Sequence, residues 1–333
     1  MAERKYILSL DGGGLRGIIP ATVLMRIEEA TGRGIAESFD LLAGTSTGGI
    51  IALGLCVPDG RSSRPRYRAK DLLDLYVDHG HEIFKEHRLR LDGLFDERYP
   101  SGPLEGILRE YFEDTMMSDA LRELVVTAYD MYGSEPFMFK RTYGRETPEW
   151  NIEMWKAARS TSAAPTYFEP YAIPAMRPGE TDHVLVDGGV FVNNPAICAY
   201  IEALKLWPGC EPVICSIGTG DKVARAHTEH EVAGWGKLEW APHILDVVFD
   251  GVADVVDYQL KQLCGQPDGD GPDYYRFQAV IGPGGSARMD DASPEQVRAL
   301  QALGEQLVVD RREQLMTLCD ELKHAAALGA AGT

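Results

Sequence analysis

The chain has 333 residues, 44% hydrophobic and 25% charged, an ordinary globular balance with enough length for one large core. Its formal net charge of −18 argues against duplex nucleic acid as a partner and against general adhesion to anionic lipid, since both rely on a basic surface. No uncharged apolar run reaches the length of a membrane span, and Met1–Ser9 is too short and too soon interrupted for a signal peptide, so a cytoplasmic protein is expected, or one peripheral at the inner membrane face.

Lys5–Leu10 (KYILSL) reads as a first strand, stopped by the glycines of DGGG. Leu15–Ala30 has helical apolar spacing. Phe39–Ala43 is a second predicted strand and Thr47–Cys56 a helix after it. Asp71–Phe84 and Pro103–Phe112 have the spacing of amphipathic helices, Glu123–Asp130 and Pro136–Phe139 that of a strand pair, and Trp150–Ser162 that of a helix. Val184–Asp187 is a strand running into Gly188-Gly189. Pro195–Leu206 is helical, with proline at a tolerated first-turn position. Pro212–Ile217 is a strand ending in GTG, His243–Leu263 a long helix and Tyr274–Val280 another strand. Ser293 caps a helix with Pro294 at its first position, and the pattern continues to about Lys323. Strands alternating with helices predict an α/β fold whose mostly parallel sheet is covered on both faces. No linker divides the chain, so residues 1–325 read as one domain and 326–333 as a frayed tail.

Three strand ends carry candidate chemistry. The stretch FDLLAGTSTGGIIALGL sets Ser46 inside Gly-x-Ser-x-Gly between a strand and a helix, the surround of a nucleophile elbow. The motif alone is common, and a glycine turn without chemistry is the plain alternative. DGGGLRG, Asp11–Gly17, fits Gly-x-Gly-x-x-Gly, which also reads as a dinucleotide loop. That fold needs an acid at the far end of the second strand. Here Asp40 lies at its start and the serine at its end, which favours a backbone oxyanion hole instead. VLVDGGVFVNNPA, Val184–Ala196, ends a strand on Asp187. Alone, an aspartate before glycine is an ordinary turn.

Other signals are weaker. Six scattered cysteines without Cys-x-x-Cys spacing read as buried free thiols. His79-x-His81 and His227-x-x-His230 have no nearby thiol or carboxylate motif and read as surface histidines, so no metal is expected. RSSRPRYRAK, Arg61–Lys70, carries five basic residues and no acid, a solvated loop or an anion-binding one.

DGGGLRG, GTSTGG and VDGG, in this order, resemble the patatin-like phospholipase family, and STSAAPTYFEP (Ser160–Pro170) resembles the segment before the aspartate in its bacterial members. The resemblance covers Tyr6 to about Gly220. It implies a three-layer α/β/α fold and a phospholipase A or lipid acyl hydrolase acting on membrane phospholipid without a cofactor. It further implies a Ser–Asp dyad that dispenses with histidine: Ser46 as nucleophile, Asp187 as base, and the N–H groups of Gly13 and Gly14 as oxyanion hole, helped by the Leu15–Arg16 backbone. Arg16 would contact lipid phosphate or form a structural salt bridge. Patatin-like effectors of anti-phage systems imply a cyclic dinucleotide activator, with Arg61–Lys70 or KEHRLR (Lys85–Arg90) as phosphate-binding candidates; a homo-oligomer stays open.

Two other readings compete. A Ser-His-Asp esterase for a soluble ester would take its base from His227, His230, His243 or His324, none in a glycine-bounded loop. A non-catalytic binding protein would have no use for an intact Ser46, Asp187 and glycine loop. Asp221–Pro242, long and polar, with Trp235 and Trp240, is expected to be a lid that docks at lipid, or an ordered loop anchored by both rings.

Overall fold

The computed structural model describes residues 2–60, 64–86, 97–177, 179, 181–222, 232–236, 240, 243–264, 273–282 and 288–331. The strands are β1 (Arg4–Leu10), β2 (Leu41–Thr45), β3 (Glu123–Asp130), β4 (Glu135–Lys140), β5 (Tyr171–Ile173), β6 (His183–Asp187), β7 (Glu211–Ile217), β8 (Asp221–Lys222), β9 (Asp273–Phe277) and β10 (Val280–Ile281). The helices are α1 (Ile18–Thr31), α2 (Ile35–Ser38), α3 (Thr47–Leu55), α4 (Ala69–Ile83), α5 (Ser101–Phe112), α6 (Arg141–Glu146), α7 (Met154–Thr161), α8 (Ala196–Leu206), α9 (Ile244–Cys264), α10 (Pro294–Asp310) and α11 (Arg312–Ala331).

The main sheet runs β5-β6-β3-β2-β1-β7-β9, with β4 also on β3. β1–β2, β1–β7, β2–β3 and β7–β9 pair in parallel, and β4, β5 and β6 are antiparallel additions. Side chains alternate between two cores, as strand geometry requires. Ile7, Leu41, Ala43, Val125 and Ile214 meet the alanines of α8 and Val256 and Leu260 of α9. Their neighbours Leu8, Leu10, Leu42, Leu124 and Val126 meet the larger core with α1, α3, α4, α5, α7, α10 and α11. A three-layer α/β/α fold results, its sheet mixed but mostly parallel, as the sequence predicts.

The pairing around β3 sets up everything that follows. Val125, Val126 and Thr127 pair with both β2 and β4, so those two strands flank β3 on opposite sides. Ala128 pairs with both β4 and β6, so β6 lies on the side away from β4, the side of β2. β2 ends with Thr45 against Thr127, and β6 ends with Asp187 against the next residue, Ala128. Two strand C-termini therefore approach each other head-on in one lane along β3, with Ser46 at the tip of one and Asp187 at the tip of the other.

Several boundaries differ from expectation. The helix read from Leu15 opens as a 3-10 turn over Gly14–Gly17, because Gly14 sits at φ 57°, outside the helical region, and α1 starts at Ile18. Gly32 closes α1 in the left-handed conformation. Trp150–Ser162 divides into a 3-10 turn, Pro148–Trp150, and α7. The helix read from Ser293 to Lys323 is two helices broken at Arg311, and the second continues through the alanine-rich tail to Ala331, alanine being the best helix former. Ser293 caps α10 as predicted, accepting from the Gln296 N–H at 3.3 Å.

Candidate active site

Ser46 joins β2 to α3 at φ 54° and ψ −125°, a conformation that costs a non-glycine residue on the order of 1–3 kcal/mol. The turn is possible because its neighbours lack side chains. A Cβ on Gly44 would lie 2.2 Å from the Gly48 carbonyl oxygen, and one on Gly48 would lie 2.2 Å from that of Leu10. The Ser46 N–H would be an orphan donor in a buried turn; it donates to Thr161 Oγ1 at 2.8 Å. Thr161, the last residue of α7 and wholly buried, thus holds the elbow from a distant part of the chain.

Asp187 is wholly buried. Its Oδ1 accepts from the Gly189 N–H at 2.8 Å, and its Oδ2 has no partner of normal hydrogen-bond geometry. Burial pushes its pKa up to about 7, against a smaller downward pull from the Ser46 hydroxyl and the Gly189 N–H. The serine thus lies within electrostatic reach of the carboxylate while the Ser–Asp contact stays open. Among the described residues no histidine hydrogen-bonds to either group. His183 pairs with Asp130 at 2.6 Å, and His243 stacks on Trp235 with ring centroids 4.7 Å apart. His324 is exposed on α11, while His227 and His230 lie outside the described residues.

The glycine loop passes beside the elbow, since a Cβ on Gly12 would lie 3.2 Å from Ser46 Cβ. Among the described residues the N–H groups of Gly13 and Gly14 have no acceptor. Those of Leu15 and Arg16 are already engaged, donating to Met289 O at 2.8 Å and Gly13 O at 3.1 Å, so the expected Leu15–Arg16 contribution is not free to act. The loop is held by residues to which no sequence motif assigns a role. The Gly12 N–H donates to Asn193 O at 3.1 Å, Thr219 Oγ1 donates to Gly12 O at 2.7 Å, and Arg276 grips Asp11 through two hydrogen bonds of 3.0 and 2.6 Å. Arg16 is buried and donates to the Gly220 carbonyl at 3.2 Å. Among the described residues it makes no ion pair, and it ties the loop to the turn that follows β7.

The Asp11–Arg276 pair invites a stability test. Asp11→Ala leaves a buried guanidinium unpaired and is expected to lose about 3–5 kcal/mol in urea unfolding. Asp11→Ala with Arg276→Met is expected to recover most of that loss, because the stranded charge is gone.

An apolar cleft of about 50 Å³ opens at Ser46 and Gly14, lined by Leu75 and Tyr76 of α4, Ile107 and Leu108 of α5, and Phe249 of α9. Its lining suits an alkyl chain. The basic stretch before α4 is engaged elsewhere where it is described: Arg66 pairs with Glu113 at 3.0 Å, Arg68 lies 3.8 Å from both Glu28 and Glu37, and Lys70 pairs with Asp74 at 2.5 Å. Residues 61–63 and 87–90, and most of the 221–242 stretch read as a lid, lie outside the described residues. Trp235 and Trp240 meet edge to face at 5.1 Å, and neither is a buried core anchor. All six cysteines are free; Cys56, Cys215 and Cys319 are buried and the other three partly exposed. Among the described residues no helix is long and apolar enough to cross a membrane.

The family model described as patatin-like phospholipase matches residues 8–200. Probable inactive patatin-3-Kuras 1 of Solanum tuberosum is 30% identical over 332 residues, spanning 92% of this chain and 87% of that protein. Patatin-like protein 1 of Oryza sativa subsp. indica is 31% identical over 344 residues, spanning 93% of this chain and 82% of that one. A more distant likeness is the solved structure of VipD from Legionella pneumophila, with 14% identity and a TM-score of 0.41, covering 96% of this chain and 67% of that one. With its sequence matched across the elbow, the glycine loop and the aspartate strand, the chain belongs to the patatin-like phospholipase family and is a lipid acyl hydrolase of the serine-hydrolase type.

Proposed function

We propose that Ser46 and Asp187 work as a dyad that cleaves fatty-acyl esters of membrane phospholipids through a serine acyl-enzyme. Ser46 Oγ attacks the ester carbonyl as Asp187 Oδ2 takes its proton, and the Gly13 and Gly14 N–H groups receive the developing oxyanion. The proton then passes from Asp187 to the departing alcohol oxygen. Water, deprotonated by the same carboxylate, attacks the acyl-serine, and the fatty acid leaves as Ser46 is restored.

The observation that carries this reading is the free, buried Oδ2 of Asp187 beside Ser46, with its pKa pushed up to about 7. An ordinary carboxylate is too weak a base for a serine hydroxyl at neutral pH, and burial removes much of that mismatch. An alkyl fluorophosphonate is expected to tag Ser46 alone, read by peptide mass spectrometry; a tag on another serine would end the assignment. The pH profile gives a second check. Asp187 acts only when ionised, so kcat/KM is expected to fall about tenfold per pH unit below about 7 and to level off above. A histidine would titrate in the same range. The acid limb must therefore survive in His183→Gln, His243→Ala and His324→Ala, and its disappearance in any of these would favour a histidine base.

A further inference from the structure

We propose that the outward face of α9 is a docking surface for a lipid interface of zwitterionic headgroups, a deepening of the phospholipid reading above. Helix α9 carries three different faces. Phe249, Ala253, Val256 and Leu260 point inward and are buried. Ile244, Val247, Val255 and Tyr258 lie on the opposite side, spaced with Gly251 as one stripe at i, i+3, i+7, i+11 and i+14, and the four side chains are 44% to 65% exposed. Asp246, Asp250, Asp254 and Asp257 form an acidic row between the two.

A helix that covers a soluble core ordinarily presents polar residues to water. A continuous apolar stripe there marks a surface that something else covers. The position of α9 says what. Its inward Phe249 sits against Gly189, two residues from Asp187, where a Cβ would meet the ring at 2.8 Å, and it lines the same cleft as Ser46. Whatever occupies the stripe therefore lies against the helix that supplies one wall of that cleft. A lipid interface held against that helix keeps substrate beside the cleft, which a protein partner there would not do. Tyr258 at one end and Trp240, 37% exposed and just before the helix, are side chains that settle at a membrane–water boundary.

Charge selects the kind of lipid. The flank beside the stripe carries Asp246, Asp250 and Asp254 along with a Lys261–Asp257 pair at 2.6 Å, a net negative balance that disfavours phosphatidylglycerol-like headgroups and tolerates those carrying an ammonium group. A chain of net charge −18 has no bulk attraction to anionic membranes to offset this. Apolar insertion thus replaces charge as the means of adsorption.

The test separates adsorption from catalysis. In flotation assays the Ser46→Ala chain, which needs no turnover, is expected to rise with phosphatidylcholine vesicles and less well with phosphatidylglycerol vesicles at low salt. Adding Val247→Asp and Tyr258→Asp is expected to lower the bound fraction at least tenfold. In the otherwise native chain the same pair is expected to lower vesicle hydrolysis at least tenfold while hydrolysis of a short soluble ester and the melting temperature stay within twofold and 2 °C, roughly what exposed substitutions cause. Undiminished flotation of the variant, or a preference for phosphatidylglycerol, would overturn the proposal. So would a native dimer, seen by sedimentation, that the two aspartates split, since the stripe would then join two copies of this chain. Flotation reads the surface whether or not Ser46 is the nucleophile, so failure of the dyad and failure of the surface remain distinct.

Discussion

Asp187→Asn is expected to be almost inactive and at least as stable as the parent. The amide cannot take the Ser46 proton, and neither can any histidine placed near it among the described residues, so kcat/KM is expected to drop by ~10⁴-fold or more, as when a member of a nucleophile–base unit is removed. Ser46→Ala is expected to match it, and the double variant to be little worse, because the two act as one unit. Stability moves the other way. A carboxyl raised from 3.8 to about 7 by burial costs the folded state roughly 4 kcal/mol at neutral pH relative to a neutral side chain. Asparagine escapes that cost but leaves an amide donor short of acceptors, an offset of about 1–3 kcal/mol. The folded protein binds this proton more tightly than the unfolded chain does. Parent stability is therefore expected to be greatest below about pH 4 as far as this group is concerned, and to decline through pH 7, a slope that Asp187→Asn lacks. Urea midpoints at pH 5 and 7.5 check this. An active Asp187→Asn would refute the dyad, and an inactive but unfolded one would leave its stability argument wrong.

Gly13→Ala and Gly14→Ala are expected to lower kcat by about 10²–10³-fold with little change in KM, the loss seen when one oxyanion donor is removed. Alanine keeps the N–H group, so the effect must come from its aim. At Gly13 the new methyl would lie 2.3 Å from Thr219 Oγ1, the hydroxyl that holds the Gly12 carbonyl. At Gly14 it would lie 2.3 Å from the Met289 carbonyl oxygen, backbone that cannot rotate aside, at a φ of 57° that alanine resists. Thr219→Gly removes the three atoms that the methyl added at Gly13 would meet most closely, Oγ1, Cβ and Cγ2 of Thr219. Gly13→Ala with Thr219→Gly is therefore expected to regain part of the lost turnover, whereas no such rescue is available at Gly14. Steady-state kinetics on a soluble ester decide this, and a rise in KM with unchanged kcat would move the glycine loop from transition-state to ground-state binding.

Much of this site was legible in the sequence because its chemistry sits at strand ends. A buried strand is a short apolar run, and a glycine or aspartate that stops it is visible without any knowledge of the fold. Leu10–Asp11, Thr45–Ser46 and Val186–Asp187 all announce themselves in this way. The supports did not. Thr161, Thr219, Asn193 and Met289 matter only because packing returns them to the elbow and the glycine loop from far along the chain, contacts that no local pattern reveals. VFVNNPA follows the aspartate and GTG ends a strand in the sequence, yet nothing local says that Asn193 and Thr219 hold Gly12. The direction of β6 was hidden too, since a short buried strand looks the same parallel or antiparallel. The break at Arg311 escaped because apolar helical spacing runs on either side of it.

The head-on meeting of β2 and β6 along β3 makes the backbone a ruler for the reaction. The two strand tips are assigned to consecutive residues, Thr127 and Ala128, of a third strand. Their separation is therefore fixed by the pitch of that strand, ~3.4 Å per residue, and not by the reach or rotamer of any intermediary side chain. A slip of β6 by one position along β3 would carry Asp187 past the serine by that full step and turn its carboxylate to the opposite face of the sheet. Such a hydrolase has no graded misalignment open to it: the register of the β3–β6 pairs is either right, and nucleophile and base are in range, or wrong, and they are on different sides of a wall.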